Sequence, residues 1–245
     1  MTEERVEIRT ADGTVDGFLY RHEGSRKPGV IHLTDIGGIR SSQKAMASRL
    51  AAAGYTVLMP NLFYRSGKPP VINFAAGFES AEGKRRLAEL RGPLTPEAVE
   101  SDAGAYVDFL AGQDGVSEGG LGVAGYCFAG SVALRAAAAR PDRVAAAASF
   151  HGGGLATDAP TSPHILLPRI KARLYFGHAV EDRGMPPEAI DRLGQALAAW
   201  GGRWESEVYD GARHGWTVPD SPAFNGPQAE RAFAKLTGLF AENLP

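Results

Sequence analysis

The chain has one cysteine, Cys127, set in the run Gly125-Tyr126-Cys127-Phe128-Ala129-Gly130. A reactive side chain between small residues, where a strand turns sharply into a helix, is a nucleophile elbow, here with sulfur in place of the usual serine oxygen. Gly125 permits close backbone approach before the nucleophile. Ala129 stands where the pattern expects glycine, the smallest departure available, and Gly130 follows it. A lone cysteine is otherwise a small buried hydrophobe. Its flanks favour chemistry instead. Gly120-Leu121-Gly122-Val123-Ala124-Gly125 reads as a short buried strand. Ser131 to Arg140 is rich in helix formers and halts at Pro141.

A thiol nucleophile needs a base, and the base needs an orienting group. At such elbows these follow in the chain order nucleophile, acid, histidine. Ala172 to Gly177 reads as a strand running into His178-Ala179-Val180-Glu181-Asp182. Val208 to Arg213 runs into His214-Gly215-Trp216. Asp182 and His214 therefore stand in the required order at strand ends, with Glu181 as the reserve acid. Singly, Asp182 reads equally as an exposed acid or helix cap, and His214 as a loop histidine. His32 lies within a strand, and His151 and His178 end earlier strands, so they fit the base less well. Acyl transfer also needs two donors for the developing oxyanion. One is the amide of Phe128. The other is assigned to Ile36, in the loop Asp35-Ile36-Gly37-Gly38 after the third strand.

The elements that must hold these residues alternate. Val6 to Arg9 and Val15 to Tyr20 form a hairpin about Asp12-Gly13. Gly29 to Thr34 and Tyr55 to Met59 are strands, separated by a helix capped by Ser41 or Ser42 and reaching Ala53. Thr95-Pro96-Glu97 opens a helix. Val144 to Phe150 is a strand, Pro187 to Trp200 a helix, Trp204 to Tyr209 the last strand and Gln228 to Phe240 a closing helix. Residues 63–95 read as a segment covering the site, with Lys84-Arg85-Arg86 a solvated face. The prediction is α/β: one domain, a mostly parallel twisted sheet with helices on both faces and an antiparallel hairpin at the N-terminal edge.

Apolar content of 44% and a net charge of -2 describe an ordinary soluble protein with no field for nucleic acid or anionic membrane. No apolar stretch reaches bilayer length, and the start lacks a signal-peptide core. One cysteine excludes an internal disulfide and fits a cytoplasmic location. No metal-ligand cluster is visible. Gly120 to Gly125 also matches a dinucleotide fingerprint, but its glycines overlap the strand and the nearest acid, Asp142, follows a helix and Pro141. Gly77 to Lys84 fails as a phosphate loop in spacing and in its Arg85. A non-catalytic binding or regulatory protein on a hydrolase scaffold remains the alternative, since fold does not fix function.

Over nearly its whole length the chain resembles the dienelactone hydrolase family. The resemblance rests on Gly125 to Gly130, Gly177 to Asp182 and His214-Gly215-Trp216. It implies a single α/β-hydrolase domain that cleaves lactones or esters through Cys127, His214 and Asp182 without a cofactor. It also implies a thiol-activating acid in the oxyanion loop, for which Asp35 is the matching position, one methylene shorter than the family's glutamate. The family's arginine just after the histidine is missing from Gly215-Trp216-Thr217-Val218. Arg65 is then the candidate cation, and Phe63, Tyr64 and Trp216 the candidate lining of the mouth. An uncharged lactone or short aryl ester is accordingly expected to outperform a carboxylated dienelactone. A monomer or small homo-oligomer is expected.

Overall fold

Apolar side chains along the central strands point alternately to two separate cores, and that period of two dictates a sheet covered on both faces. The structure, a computed structural model, describes residues 1–72 and 80–244. Its strands are β1 (Thr2–Thr10), β2 (Gly13–Arg21), β3 (Gly29–Leu33), β4 (Thr56–Pro60), β5 (Leu121–Tyr126), β6 (Val144–Phe150), β7 (Arg173–Ala179) and β8 (Trp204–Tyr209). They form one sheet in the order β1-β2-β4-β3-β5-β6-β7-β8. The β1–β2 and β2–β4 pairs are antiparallel; every later pair is parallel.

Ile31, Leu58, Val123, Ala147 and Leu174 face one core; Val30, Val57, Ala124, Ala148 and Tyr175 face the other. Helices α3 (Pro96–Ala111), α4 (Ala129–Ala139) and α5 (Pro187–Trp200) cover the first face. Helices α1 (Ser41–Ala52) and α6 (Gly226–Asn243) cover the second, through Leu50, Leu236 and Phe240. Each such side chain taken fully out of water contributes about 1.5–3 kcal/mol, which makes the two cores the main driving force. A single α/β domain results, as predicted. Between β4 and α3 lies α2 (Ala81–Arg91), and a 3₁₀ helix spans Pro163–Arg169; neither was evident from periodicity.

Helix entries follow local chemistry. Thr95 Oγ1 accepts from the Ala98 amide at 3.2 Å, with Pro96 and Glu97 in the first turn, as expected. The expectation for α1 is corrected. Its N-cap is Arg40, with no side-chain cap bond, and Ser41 and Ser42 fall inside the first turn. The Arg40 side chain is tied instead to Asp35 and Asp220. Of the basic trio in α2, Lys84 and Arg85 are exposed. Arg86 is half-buried and donates to the Val71 carbonyl at 2.9 Å, so it is not a solvated residue.

The glycines of the would-be dinucleotide fingerprint lie in and beside β5. A Cβ on Gly122 would come within 2.7 Å of the Phe240 ring, so this glycine admits α6 to the sheet. The first three residues of Gly77 to Lys84 lie outside the described residues. No helix among the described residues is long and apolar enough to cross a membrane.

Candidate active site

Because the sheet order reverses on either side of β3, the loops after β3 and β5 diverge and leave a crevice at the carboxyl ends of the strands. Cys127 sits there, immediately after β5. Its φ of +58° is unusual for a residue with a side chain and is the strained turn an elbow needs. Gly125 makes the turn possible: a Cβ there would lie 2.0 Å from the Ala129 carbonyl oxygen. Ala129 is fully buried and opens α4, so the methyl replacing the expected glycine fits without disturbing the turn.

The loops after β7 and β8 bring two further residues to the thiol. Asp182 is 7% exposed and accepts from the Gly184 amide at 2.8 Å through Oδ1. Its Oδ2 lies 2.7 Å from His214 Nδ1, and His214 Nε2 lies 3.1 Å from Cys127 Sγ. The two loops are laced together by Val180 N–H donating to the Ala212 carbonyl at 2.8 Å. Burial pulls the His214 pKa down, but hydrogen bonds to Asp182 and Cys127 outweigh it and raise it to about 10. Glu181 has a φ of +51° and is exposed, leaving the carboxylate position to Asp182.

A cavity of about 580 Å³ opens on Cys127 and His214. Asp35, Ile36 and Gly37 form one side of it. The amides of Ile36 and Phe128 have no hydrogen-bond acceptor among the described residues, as oxyanion donors require. The segment expected to cover the site contributes Pro70, Ile72, Leu87 and Arg91 to the wall.

Five residues expected from the sequence to act on the thiol or the mouth are placed elsewhere. Asp35 makes no hydrogen bond to the thiol. Its carboxylate is bidentate to Arg40 at 2.6 and 2.9 Å, and accepts from Gln43 at 3.2 Å and the Gly37 amide at 2.9 Å. It shapes the oxyanion loop instead. Arg65 faces away from the cavity, held by Asp102 at 2.6 Å and Asp12 at 2.5 Å. Tyr64 bonds Thr10 at 2.9 Å and Asp102 at 3.1 Å in the same cluster. Trp216 is fully buried against Tyr209 and His151, and Phe63 packs on Phe128 with ring centres 5.5 Å apart. Cations nonetheless reach the cavity. Arg40 is held by Asp35 and Asp220, while the exposed Arg91 side chain has no polar partner among the described residues.

Two buried histidines support the site. His151 follows β6 with φ +41°, and its Nδ1 accepts from the Cys127 amide at 3.1 Å, a donor it shares with the Phe150 carbonyl at 3.1 Å. That fixes the proton on Nε2, which donates to Thr217 Oγ1 at 2.8 Å. Burial and the charge of His214 push the His151 pKa well below 6.5. His32 Nε2 donates to Gln43 Oε1 at 2.8 Å, and Gln43 reaches Asp35, so the oxyanion loop is braced from inside the sheet. The signal for His151 was its position: it ends β6, the neighbour of the strand that ends at Cys127.

The chain matches the model of the dienelactone hydrolase family over residues 15–244. The carboxymethylenebutenolidase of Rhodococcus opacus is 31% identical over 199 residues, 79% of this chain and 73% of that protein. Among solved structures, a candidate dienelactone hydrolase of Klebsiella pneumoniae superposes with a TM-score of 0.86 at 20% identity, covering 98% of each chain. The dienelactone hydrolase of Anabaena variabilis does so at 0.70 and 20% identity, over 100% of this chain and 99% of that one. With a family match over almost the whole chain and the same α/β architecture, the protein belongs to the dienelactone hydrolase family.

Proposed function

We propose that the protein hydrolyses a lactone or carboxylic ester, with Cys127 as nucleophile, His214 as base and acid, and Asp182 as its orienting carboxylate. The observation that carries this reading is the unbroken chain Asp182–His214–Cys127 at 2.7 and 3.1 Å, open to a cavity. A protonated imidazole beside the sulfur favours the thiolate. The thiolate attacks the carbonyl carbon, and the amides of Ile36 and Phe128 take the charge that forms on the carbonyl oxygen. His214 Nε2–H then protonates the departing alkoxide as the C–O bond breaks, leaving a thioester on Cys127. Water, losing a proton to His214, attacks the thioester and releases the acid and the thiolate. For a lactone, the alkoxide remains on the acyl chain and the product is a hydroxy acid.

The test is a screen of lactones and short-chain aryl esters with Cys127→Ala as the blank, alongside titration with iodoacetamide. One equivalent of label should abolish turnover in proportion to its incorporation at Cys127. Full activity in the alkylated protein would remove the cysteine from the mechanism.

A further inference from the structure

Behind the elbow, on the face of the sheet covered by α1 and α6, lies a second cavity of about 220 Å³. Its walls include Met46, Leu50, Phe150, Phe233 and Leu236. At its mouth is Phe224, 45% exposed. Two neutral polar side chains break this apolar lining: Thr217, which is bonded to His151, and Tyr126. Tyr126 is 5% exposed, and its hydroxyl has no hydrogen-bond partner among the described residues. The hydroxyl of this buried side chain is accessible from the cavity, so its donor is free to meet an acceptor from outside the chain.

The size and charge of the cavity narrow that acceptor. An apolar cavity of roughly 150 Å³ accommodates benzene, so this one has room for a substituted ring. Its one cation, Arg49, is bidentate to Glu230 at 2.8 and 2.6 Å, and both line the same rim. The pair leaves no spare charge for an ionic ligand. We propose that this cavity is a second ligand site, distinct from the triad cavity, for a small neutral aromatic molecule whose carbonyl oxygen accepts from Tyr126.

The location ties the site to the nucleophile. Tyr126 directly precedes Cys127, and Phe150 directly precedes His151. Thr217, a third wall residue, accepts the His151 hydrogen bond. A ligand that presses on these walls presses on the backbone that sets the elbow. The site does not depend on the role given to Cys127.

The probes are acetophenone, ethylbenzene and benzoate, titrated calorimetrically into the full chain, with the fold of each variant checked by circular dichroism. Acetophenone should bind once per chain and more tightly than benzoate. Tyr126→Phe should weaken acetophenone roughly two- to ten-fold, the value of one hydrogen bond, and leave ethylbenzene unchanged. Ala229→Phe, which fills the cavity from a half-buried position on α6, should abolish binding of both neutral probes. Met46→Trp fills it from α1 and should do the same should the α6 variant misfold. Acetophenone binding that survives a folded filling variant, ignores Tyr126→Phe or is absent from the wild-type chain overturns the proposal. Tighter binding of benzoate overturns the assignment to a neutral ligand.

Discussion

The backbone amide of Cys127 is shared between Nδ1 of His151 and the Phe150 carbonyl oxygen, each at 3.1 Å, so the proposed nucleophile is held in part by a histidine outside the Asp182–His214–Cys127 chain. Burial keeps that histidine neutral, and its Nε2–H donates to Thr217 Oγ1. His151→Ala should lower kcat roughly ten-fold, the scale of one lost hydrogen bond at a strained turn, with little change in KM. His151→Asn, which keeps an acceptor, should recover part of the loss. Steady-state kinetics of the two variants, with circular dichroism to confirm folding, decide the matter; equal activity of both with wild type would show that the bond is incidental.

Cys127, His214 and Asp182 are expected to act as one unit. His214→Ala should cost at least about 10³-fold in kcat, and Asp182→Asn less, because orientation is lost while the base remains. The double variant should be no worse than His214→Ala by more than a few-fold. Additive losses in the double-mutant cycle would mean that the carboxylate acts independently of the imidazole.

Stability should fall away on both sides of neutrality, for opposite reasons. Burial lowers the pKa of His32 and of His178 to about 4. An unfolded histidine titrates near 6.5, so the unfolded chain takes up protons first as pH drops from about 6.5 toward 4. Each such histidine then removes up to about 1.4 kcal/mol per pH unit. His214 has the reverse sign. Its folded pKa is raised to about 10, so its contribution is complete below about 6.5 and fades as pH rises through about 10. Urea midpoints across this range should flatten on the acid side in His178→Gln and on the alkaline side in His214→Gln. Unchanged profiles would show that these histidines keep the same pKa on unfolding.

Substrate charge should matter only modestly. The cavity wall holds two carboxylates, Asp35 and Asp220, against Arg40 and Arg91. Arg91, exposed and without a described partner, is the guanidinium left to meet an anion. Solvated charge pairs contribute about 0.2–1 kcal/mol, so a carboxylated substrate should gain at most about five-fold in kcat/KM over its neutral match. That gain should shrink with salt and vanish in Arg91→Gln. A neutral preference at low salt would return the cavity to the apolar character expected from the missing cation after His214.

What was legible in the sequence depended on how local each constraint is. The elbow was legible because Gly125, Cys127 and Gly130 must be adjacent, and because a buried strand and a helix flank them visibly. Asp182 and His214 were legible as loop residues after apolar strands in the right order. The alternating pattern likewise revealed the sheet, apart from α2 and the 3₁₀ helix, whose mixed composition shows no clear stripe. Partnerships across the chain were not legible. Arg40 meets Asp220 from 180 positions away, and Asp35 is claimed by that arginine and Gln43 rather than by the thiol. Trp216 looked like a mouth residue beside His214, but Tyr209 and His151 draw it inward. Arg65 looked available until Asp12 and Asp102 met it from two other elements.

The strand that carries His214 has a neighbour on one side only. β8 closes the sheet and pairs with β7 alone; its Tyr209 is buried against Trp216, while its Glu207 and Glu205 meet Arg231 and Lys235 of α6 in half-exposed ion pairs. Edge elements open at lower free energy than the middle of a sheet. His214, the proposed base, thus follows the edge strand of the parallel half, whereas the thiol follows β5, walled by neighbours on both sides. Mild heat or denaturant should therefore lower activity by detaching the proposed proton acceptor before the central strands open. Rapid recovery on cooling would follow, because only one strand has to find its place again.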